Sequence, residues 1–351
     1  MEKIICGIQQ IGIGIPNVYE AWEWYRKKFG MDIPIFDDNG TAALMLPYTG
    51  NKPQDRHAVL AINMQGGGGF EIWQYVSRIP QPATFKIEIG DLGIFAAKIK
   101  TKNVKTAYDT FIKHNGGHIS RIDVNPVGQP NFFVKDTYNN HFQIVESDNF
   151  FSTTKAATGG AYGAIIGVSD INKSLKLYSD ILGFDKIIYD KTGVFTDFAE
   201  LAGGNEKCRR ILLRNSKPRK GAFGKLLGDG CIELVQLTDK KPRKIFENRF
   251  WGDLGFIHLC FDVVGMSQLK EECEKAGYPF TVDSSSSFDM GEAAGHFTYI
   301  EDNDGTLIEF VETHKLPIFK KIGWYLNLQN RDQSKHLPNW MIKALGINRK
   351  K

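Results

Sequence analysis

Cysteine is scarce and unpaired in this chain. Of 351 residues five are cysteines, Cys6, Cys208, Cys231, Cys260 and Cys273. The number is odd, and there is neither a Cys-x-x-Cys pair nor a His/Cys cluster, which argues against a disulfide framework or a zinc ribbon. Long apolar runs are missing too: nothing approaches the roughly 18 consecutive residues a membrane-spanning helix needs. The opening MEKIICGIQQIGIGIPN carries an acid, Glu2, and no small-residue cleavage site after an apolar core, so it is not expected to act as a secretion signal. A reducing cytoplasm is the expected location. Excess charge of one sign is absent from most of the chain. The formal net charge is +4, but residues 313–351 hold nine Lys/Arg against the single acid Asp332, a local +8, which leaves residues 1–312 at 4 − 8 = −4. A mildly acidic body does not make a nucleic-acid-binding surface.

What the sequence does have is repetition. Four segments, YEAWEWYRKKFG, VKTAYDTFIKHNGG, NKSLKLYSDILGF and MSQLKEECEKAG, place apolar residues three and four apart, as in Trp22, Tyr25 and Phe29. Each predicted helix ends at a glycine, Gly30, Gly116, Gly183 or Gly277, the residue that enters the left-handed conformation most readily. A predicted strand precedes each helix: IQQIGIGI, FAAKIKT, YGAIIGV and FIHLCFDV. Gln10, Ala96 and Gly163 each lie 20 residues before their stop glycine, and His258 lies 19 before its own. A second strand closes each unit: GFEIW, HFQIV, CIELV and LIEFV. Its central residue is polar every time, as Glu71, Gln143, Glu233 and Glu309. Stretches such as TAALMLP and HFTYIED are read as the strands between. The spacing from first slot to second is 61, 47, 70 and 51 residues. This long-short alternation indicates a duplicated two-unit domain, with residues 1–150 and 157–312 as the two halves and 313–351 as a basic amphipathic C-terminal extension.

Alternation along a strand sends successive side chains to opposite faces. Leu259, Phe261 and Val263 therefore share a core face, and His258, Cys260 and Asp262 share the other. Glu71 and Glu309 likewise oppose Phe70, Ile72, Ile308 and Phe310. An ionised carboxylate on such a face must be solvated, paired or bound to a metal. A lone strand histidine is ordinarily structural and a lone glutamate ordinarily salt-bridged; four polar residues in recurring slots favour a cation.

The segments GVSDINKSLKLYSDILGF, GFIHLCFDV and EDNDGTLIEFVE resemble the vicinal oxygen chelate superfamily of glyoxalase I, epimerases, extradiol dioxygenases and bleomycin-resistance proteins, over residues 4–312. The resemblance implies an α+β fold, with four βαβββ modules paired into cup-shaped mixed sheets. In that family the first and last strands of each module each supply one metal ligand, the two slots found above. If neighbouring modules share a cup, the sets are Gln10, Glu71, Ala96, Gln143 and Gly163, Glu233, His258, Glu309, neither complete. If module 1 pairs with module 4, Gln10, Glu71, His258 and Glu309 meet, which is similar to the metal set of animal-type glyoxalase I, and Ala96, Gln143, Gly163 and Glu233 form an empty second cup. A fused two-domain glyoxalase pairs its modules in this outer way, so the resemblance favours it; it implies one divalent ion (Zn, Ni, Co, Mn or Fe), a small-molecule substrate, and a lyase or isomerase passing through a metal-stabilised enediolate, with Glu309 as base and Glu71 as counterpart. Two alternatives stay open. An extradiol ring-cleaving dioxygenase would need two histidines where one slot has His, and a drug- or metabolite-binding protein of the bleomycin-resistance kind would need no metal.

Several residues near the slots have a functional and a bland reading. Cys260 borders the pocket or fills the core. His141 and His296 face a cup or are ordinary histidines. Gly12 and Gly14 leave room for a ligand or for a neighbouring strand. Trp73 forms a pocket wall or core. In the loop NSKPRKGAFGKLLGDG, Lys217, Arg219, Lys220 and Lys225 bind an anionic substrate tail or are simply solvated. The C-terminal extension, with LPNWMIKALG as a short helix stopped at Gly346, is expected to pack on the body; a lid over the cup and an anionic membrane surface are the other destinations. The protein is expected to be a monomer or homodimer.

Overall fold

The computed structural model describes residues 2–114, 117–285, 288–289, 294–319 and 323–350. Two curved mixed sheets organise these residues. The first has strands in the order Val282–Asp283, Ala294–Glu301, Leu307–Phe319, Gly255–Val264, Ile4–Gly14, Gly69–Tyr75, Asp55–Ile62 and Ile33–Thr41. The second runs Lys186–Gly193, Cys208–Arg214, Cys231–Leu237, Ala161–Gly167, Gly93–Thr101, His141–Glu146, Pro130–Lys135 and His118–Ile119. The first sheet thus joins the opening quarter of the chain to the strands after residue 254, through an antiparallel seam between Ile4–Gly14 and Gly255–Val264. The second joins the two middle quarters. On either side of its seam each sheet pairs first strand with last strand in parallel; in the first sheet this sets Gly12 beside Glu71 and Cys260 beside Glu309.

The helices form as the periodicity predicts. Val18–Phe29 starts at Asn17, whose side chain accepts from the Glu20 amide, and buries Ala21, Trp22, Tyr25 and Phe29. Asn103 and Asp170 cap Val104–Lys113 and Ile171–Leu175 in the same way. Gly30, Gly183 and Gly277 all adopt positive φ at helix ends. Gly116 lies outside the described residues. The third helix departs from expectation: after Leu175 it widens into a π-turn, Lys176–Ile181, which absorbs an extra residue before Gly183.

One continuous core takes the apolar face of both sheets and the helices, with Ile11, Phe70, Leu259 and Phe310 from the first sheet beside Ala97, Ile144, Ala164 and Ile232 from the second. Register shifts along Ile4–Gly14, between Ile5 and Gly7 and again between Ile8 and Gln10, let Ile5, Ile8 and Ile11 all reach this core while Gln10 faces the opposite side.

Two local expectations fail. TAALMLP is no strand: pairing ends at Thr41, and the chain turns into a 3₁₀ segment, Leu46–Tyr48, with Pro47 unable to donate to a ladder and Leu44 and Leu46 exposed. Gly346 does not stop the C-terminal helix, because Asn339–Ala344 continues into the 3₁₀ turn Leu345–Asn348. The extension packs on the body. Its first part prolongs Leu307–Phe319 and hairpins into Trp324–Asn327. Its last part buries Leu337, Ile342 and Leu345 against Ile33, Ile62, Met64 and Leu226. Among the described residues no helix is long and apolar enough to cross a membrane.

Candidate metal centre

The concave face of the first sheet gathers Gln10, Glu71, His258 and Glu309. The Gln10 amide nitrogen donates to Glu71 Oε2 at 3.1 Å and to Glu309 Oε2 at 3.3 Å. His258 Nε2 lies 3.2 Å from Glu71 Oε2 and 3.1 Å from Glu309 Oε2. Ligand atoms of Glu71, His258 and Glu309 all fall within 4.8 Å of one another. His258 is wholly buried, Gln10 and Glu309 nearly so.

Register explains the convergence. Gly12 is the direct neighbour of both Glu71 and His258, and having no side chain it leaves the space the imidazole fills: a Cβ there would lie 2.4 Å from His258 Cε1. Behind the ring, Trp251 stacks at 6.4 Å and 12°, and Tyr299 meets it edge-on with its hydroxyl 3.5 Å from Nδ1. A contact at Nδ1 leaves Nε2 directed at the carboxylates.

Two atoms show what this cluster suits. His258 Nε2 is close to both carboxylates yet makes a directed hydrogen bond to neither, so it points between them, and Gln10 Oε1 is buried without a partner. An imidazole nitrogen and two carboxylates converging in this way fit a divalent cation, and a turn of the Gln10 amide would bring its unpartnered oxygen to the same point. Without one, burial disfavours the charged imidazole, but Glu309 and Glu71 outweigh it and push His258 up to about 10. Burial works against the Glu309 carboxylate, and His258 outweighs it, holding that group below its ordinary range. Burial, then Glu309, pushes the Cys260 thiol and the Tyr299 hydroxyl well up, so both stay neutral.

The cluster forms the floor of a cavity of ≈ 610 Å³ lined by Gln10, Glu71, Trp73, Tyr299 and Glu309 among others. Trp73 is a wall of this cup, as its strand face suggested. Cys260 is buried beside Glu309 and does not line the cavity. Gly14 serves close backbone packing against the loop before Gly255–Val264, since a Cβ there would lie 2.0 Å from the Asp253 carbonyl. His296 pairs with Asp283 at 2.6 Å, and His141 stacks on Phe95 in the second sheet, where burial lowers it to about 4. Lys217, Arg219, Lys220 and Lys225 are absent from the cavity lining; their loop reaches the cup with Phe223, Leu226 and Leu227 instead.

The second cup has different contents. Ala96 and Gly163 offer no ligand, and a Cβ on Gly163 would lie 1.8 Å from the Cys231 carbonyl. Gln143 accepts from Lys98, which also pairs with Glu233 at 2.6 Å. Arg210 joins Glu233 at 2.6 Å to Asp197 at 2.7 Å, and Tyr189 donates to Glu233 at 2.7 Å. The slot positions did not reveal Lys98 and Arg210. Lys98 sits two residues beyond Ala96 on the same strand face, and Arg210 comes from a strand between the slots, as Tyr299 does in the first cup.

Residues 162–310 match the model of the Glyoxalase/Bleomycin resistance protein/Dioxygenase superfamily. No curated protein matches the chain. Among solved structures, a presumptive dioxygenase from Bacillus subtilis is similar over 89% of this chain and 86% of its own, at TM-score 0.57 and 14% identity. Glyoxalase I from Zea mays is similar over 89% and 92%, at TM-score 0.54 and 12% identity, and a mutant form of that enzyme at TM-score 0.55 and 13% identity over the same shares. These likenesses establish the fold. Residues 162–310 thus resemble the Glyoxalase/Bleomycin resistance protein/Dioxygenase superfamily, and the chain as a whole shares the fold of the Bacillus subtilis and Zea mays structures.

Proposed function

We propose that this chain is a metal-dependent lyase or isomerase of the glyoxalase type, with one divalent ion (Zn, Ni, Co, Mn or Fe) held by Gln10, Glu71, His258 and Glu309. The observation that carries the proposal is the orphaned pair of atoms in the first cup, the buried Gln10 Oε1 and the undirected His258 Nε2 between two carboxylates. A bound ion would supply Lewis acidity toward the oxygens of a small-molecule substrate.

The chain's own residues supply the proton chemistry. Glu309 and Glu71 both line the cavity and reach it from different strands. Glu309 is the base that takes a proton from carbon beside a substrate carbonyl, and Glu71 is its counterpart, returning a proton from the other side. His258, braced by Trp251 and Tyr299, keeps the floor in place. The surrounding apolar walls keep water from competing for the proton. One imidazole in the cluster, with His141 and His296 engaged elsewhere, favours this reading over oxygen activation, which uses two histidines and one carboxylate.

The test is exchange of the α-proton. Protein loaded with zinc, nickel or manganese is incubated with α-hydroxy ketones in D₂O, and deuterium uptake is followed by NMR. Wild type should exchange, and Glu309→Gln should be slower by about 10²-fold or more. Equal exchange in wild type, Glu309→Gln and Glu71→Gln would contradict the assignment.

A further inference from the structure

The charge inside the first cup limits what can occupy it. Among the described residues lining the cavity, the charged ones are Asp38, Arg56, Glu71 and Glu309. Glu71 and Glu309 belong to the floor. Arg56 is already engaged: its guanidinium lies 3.0 Å from the Asp38 carboxylate and donates to the Asp38 carbonyl at 2.9 Å. No cation among these lining residues is left to receive a substrate carboxylate, phosphate or sulfonate, and an anionic substituent buried there would find only neutral polar groups, such as Gln9, Asn39, Thr41, Ser284 and the Trp251 N–H, beside the acids and hydrocarbon.

The rest of the wall is largely apolar and draws on three separate parts of the chain: Ile35 and Leu60 from the first module, Phe223 and Leu226 from the loop in the third, and Leu345 from the C-terminal extension. The last two parts hold each other. The Leu337 amide donates to the Ala222 carbonyl at 2.9 Å, and the Gly221 carbonyl is 3.0 Å from His336 Nδ1. The extension is then fixed to the first module, where Arg349 pairs with the Asp32 carboxylate and the Lys350 amide donates to the Asp32 carbonyl at 2.8 Å. These ties hold Leu345, nearly fully buried, against the cup together with Phe223 and Leu226.

We infer that the cup takes an uncharged, largely apolar oxygen-bearing substrate, rather than an anionic thiol conjugate, and that Leu345 of the C-terminal extension is a specificity-determining wall for its apolar part. This rests on the reading of the first cup as the active cavity, though not on the presence of the metal.

The experiment titrates the full chain with three probes: 3-hydroxyflavone, which is neutral and apolar, its sulfonated derivative, and S-hexylglutathione, with metal content measured on the same samples. 3-Hydroxyflavone should bind at least about tenfold more tightly than either anion, a difference of about 1.4 kcal/mol. Leu345→Arg should weaken the neutral probe by about tenfold and narrow the gap to the sulfonated one. Leu345→Ala, which keeps the wall apolar, should weaken it by about threefold, and circular dichroism of both variants checks that they fold. S-Hexylglutathione binding as tightly as 3-hydroxyflavone would overturn the inference, as would unchanged flavonol binding in both folded variants. The predicted preference in metal-free protein would uphold the substrate class and count only against the metal. The reverse preference in stoichiometrically loaded protein would overturn the substrate class and leave the metal reading standing.

Discussion

The two cups use the same slots on the same strands and resolve their charge in opposite ways. In the first, two carboxylates, an amide and one imidazole face each other, and the described contacts among them include no lysine or arginine. In the second, Glu233 and Asp197 are matched by Arg210 and Lys98, two acids against two bases, and the hydroxyl of Tyr189 completes the network. The slots themselves do not make a site; what matters is whether other positions of the sheet bring cations of their own, as Lys98 on a slot strand and Arg210 on a neighbouring one do. Where they do, buried carboxylates become structure. Where they do not, the same geometry is the one we propose accepts a cation from outside.

Exchanging these conditions tests the comparison. The largest effect should come from Arg210→Met, which leaves Glu233 and Asp197 buried without their main partner. Breaking a buried pair from one side costs about 3–5 kcal/mol, so calorimetry should show a large fall in Tm with the metal content of the first cup unchanged. The acid limb of stability should change with it. Burial pushes the Glu233 carboxyl up, but Arg210 and Lys98 outweigh burial and hold it at about 2. A folded-state value below the ordinary 4.5 means the stabilisation is fully present above about pH 4.5 and is lost as pH falls toward 2. Arg210→Met should flatten that limb; an unaltered acid limb would show that the pairing is not the stabilising element.

A smaller, more local change sharpens the same contrast. Gly12→Ala puts a methyl 2.4 Å from His258 Cε1 and 2.7 Å from both ring nitrogens, so the imidazole has to move. Groups that orient a metal-ligating histidine are worth about 10–100-fold in affinity, and a loss near the lower figure, read by competition with a chelating dye, is expected together with a fall in Tm smaller than that of Arg210→Met. An unchanged affinity would mean that His258 is not held where Gly12 leaves room for it.

Much of this was legible in the sequence. Counting back from the stop glycines found Gln10 and His258, and strand alternation found Glu71 and Glu309, because helix length and the strand period are set locally. The outer pairing of modules was expected only through the family resemblance, and the seam between Ile4–Gly14 and Gly255–Val264 is the structural fact that brings the four residues together. What could not be read depends on contacts between distant segments. Counting stopped at Ala96, whereas the chemistry of that strand is carried by Lys98, and Ala96 is buried with Phe133 and Phe198. The basic loop reads as solvated or as an anion-binding loop, yet it reaches the cup through the buried Phe223, Leu226 and Leu227. The amphipathic pattern of the extension showed that Leu345 would be covered, but not that it would cover the cup.

The most direct measurement is elemental analysis of the purified chain after incubation with each of zinc, nickel, cobalt, manganese and iron and removal of free ion. The account predicts one divalent ion per chain, reduced in Gln10→Ala, lost in His258→Ala and retained in Arg210→Met. No stoichiometric ion with any of the five metals, or an ion that survives His258→Ala, would contradict it.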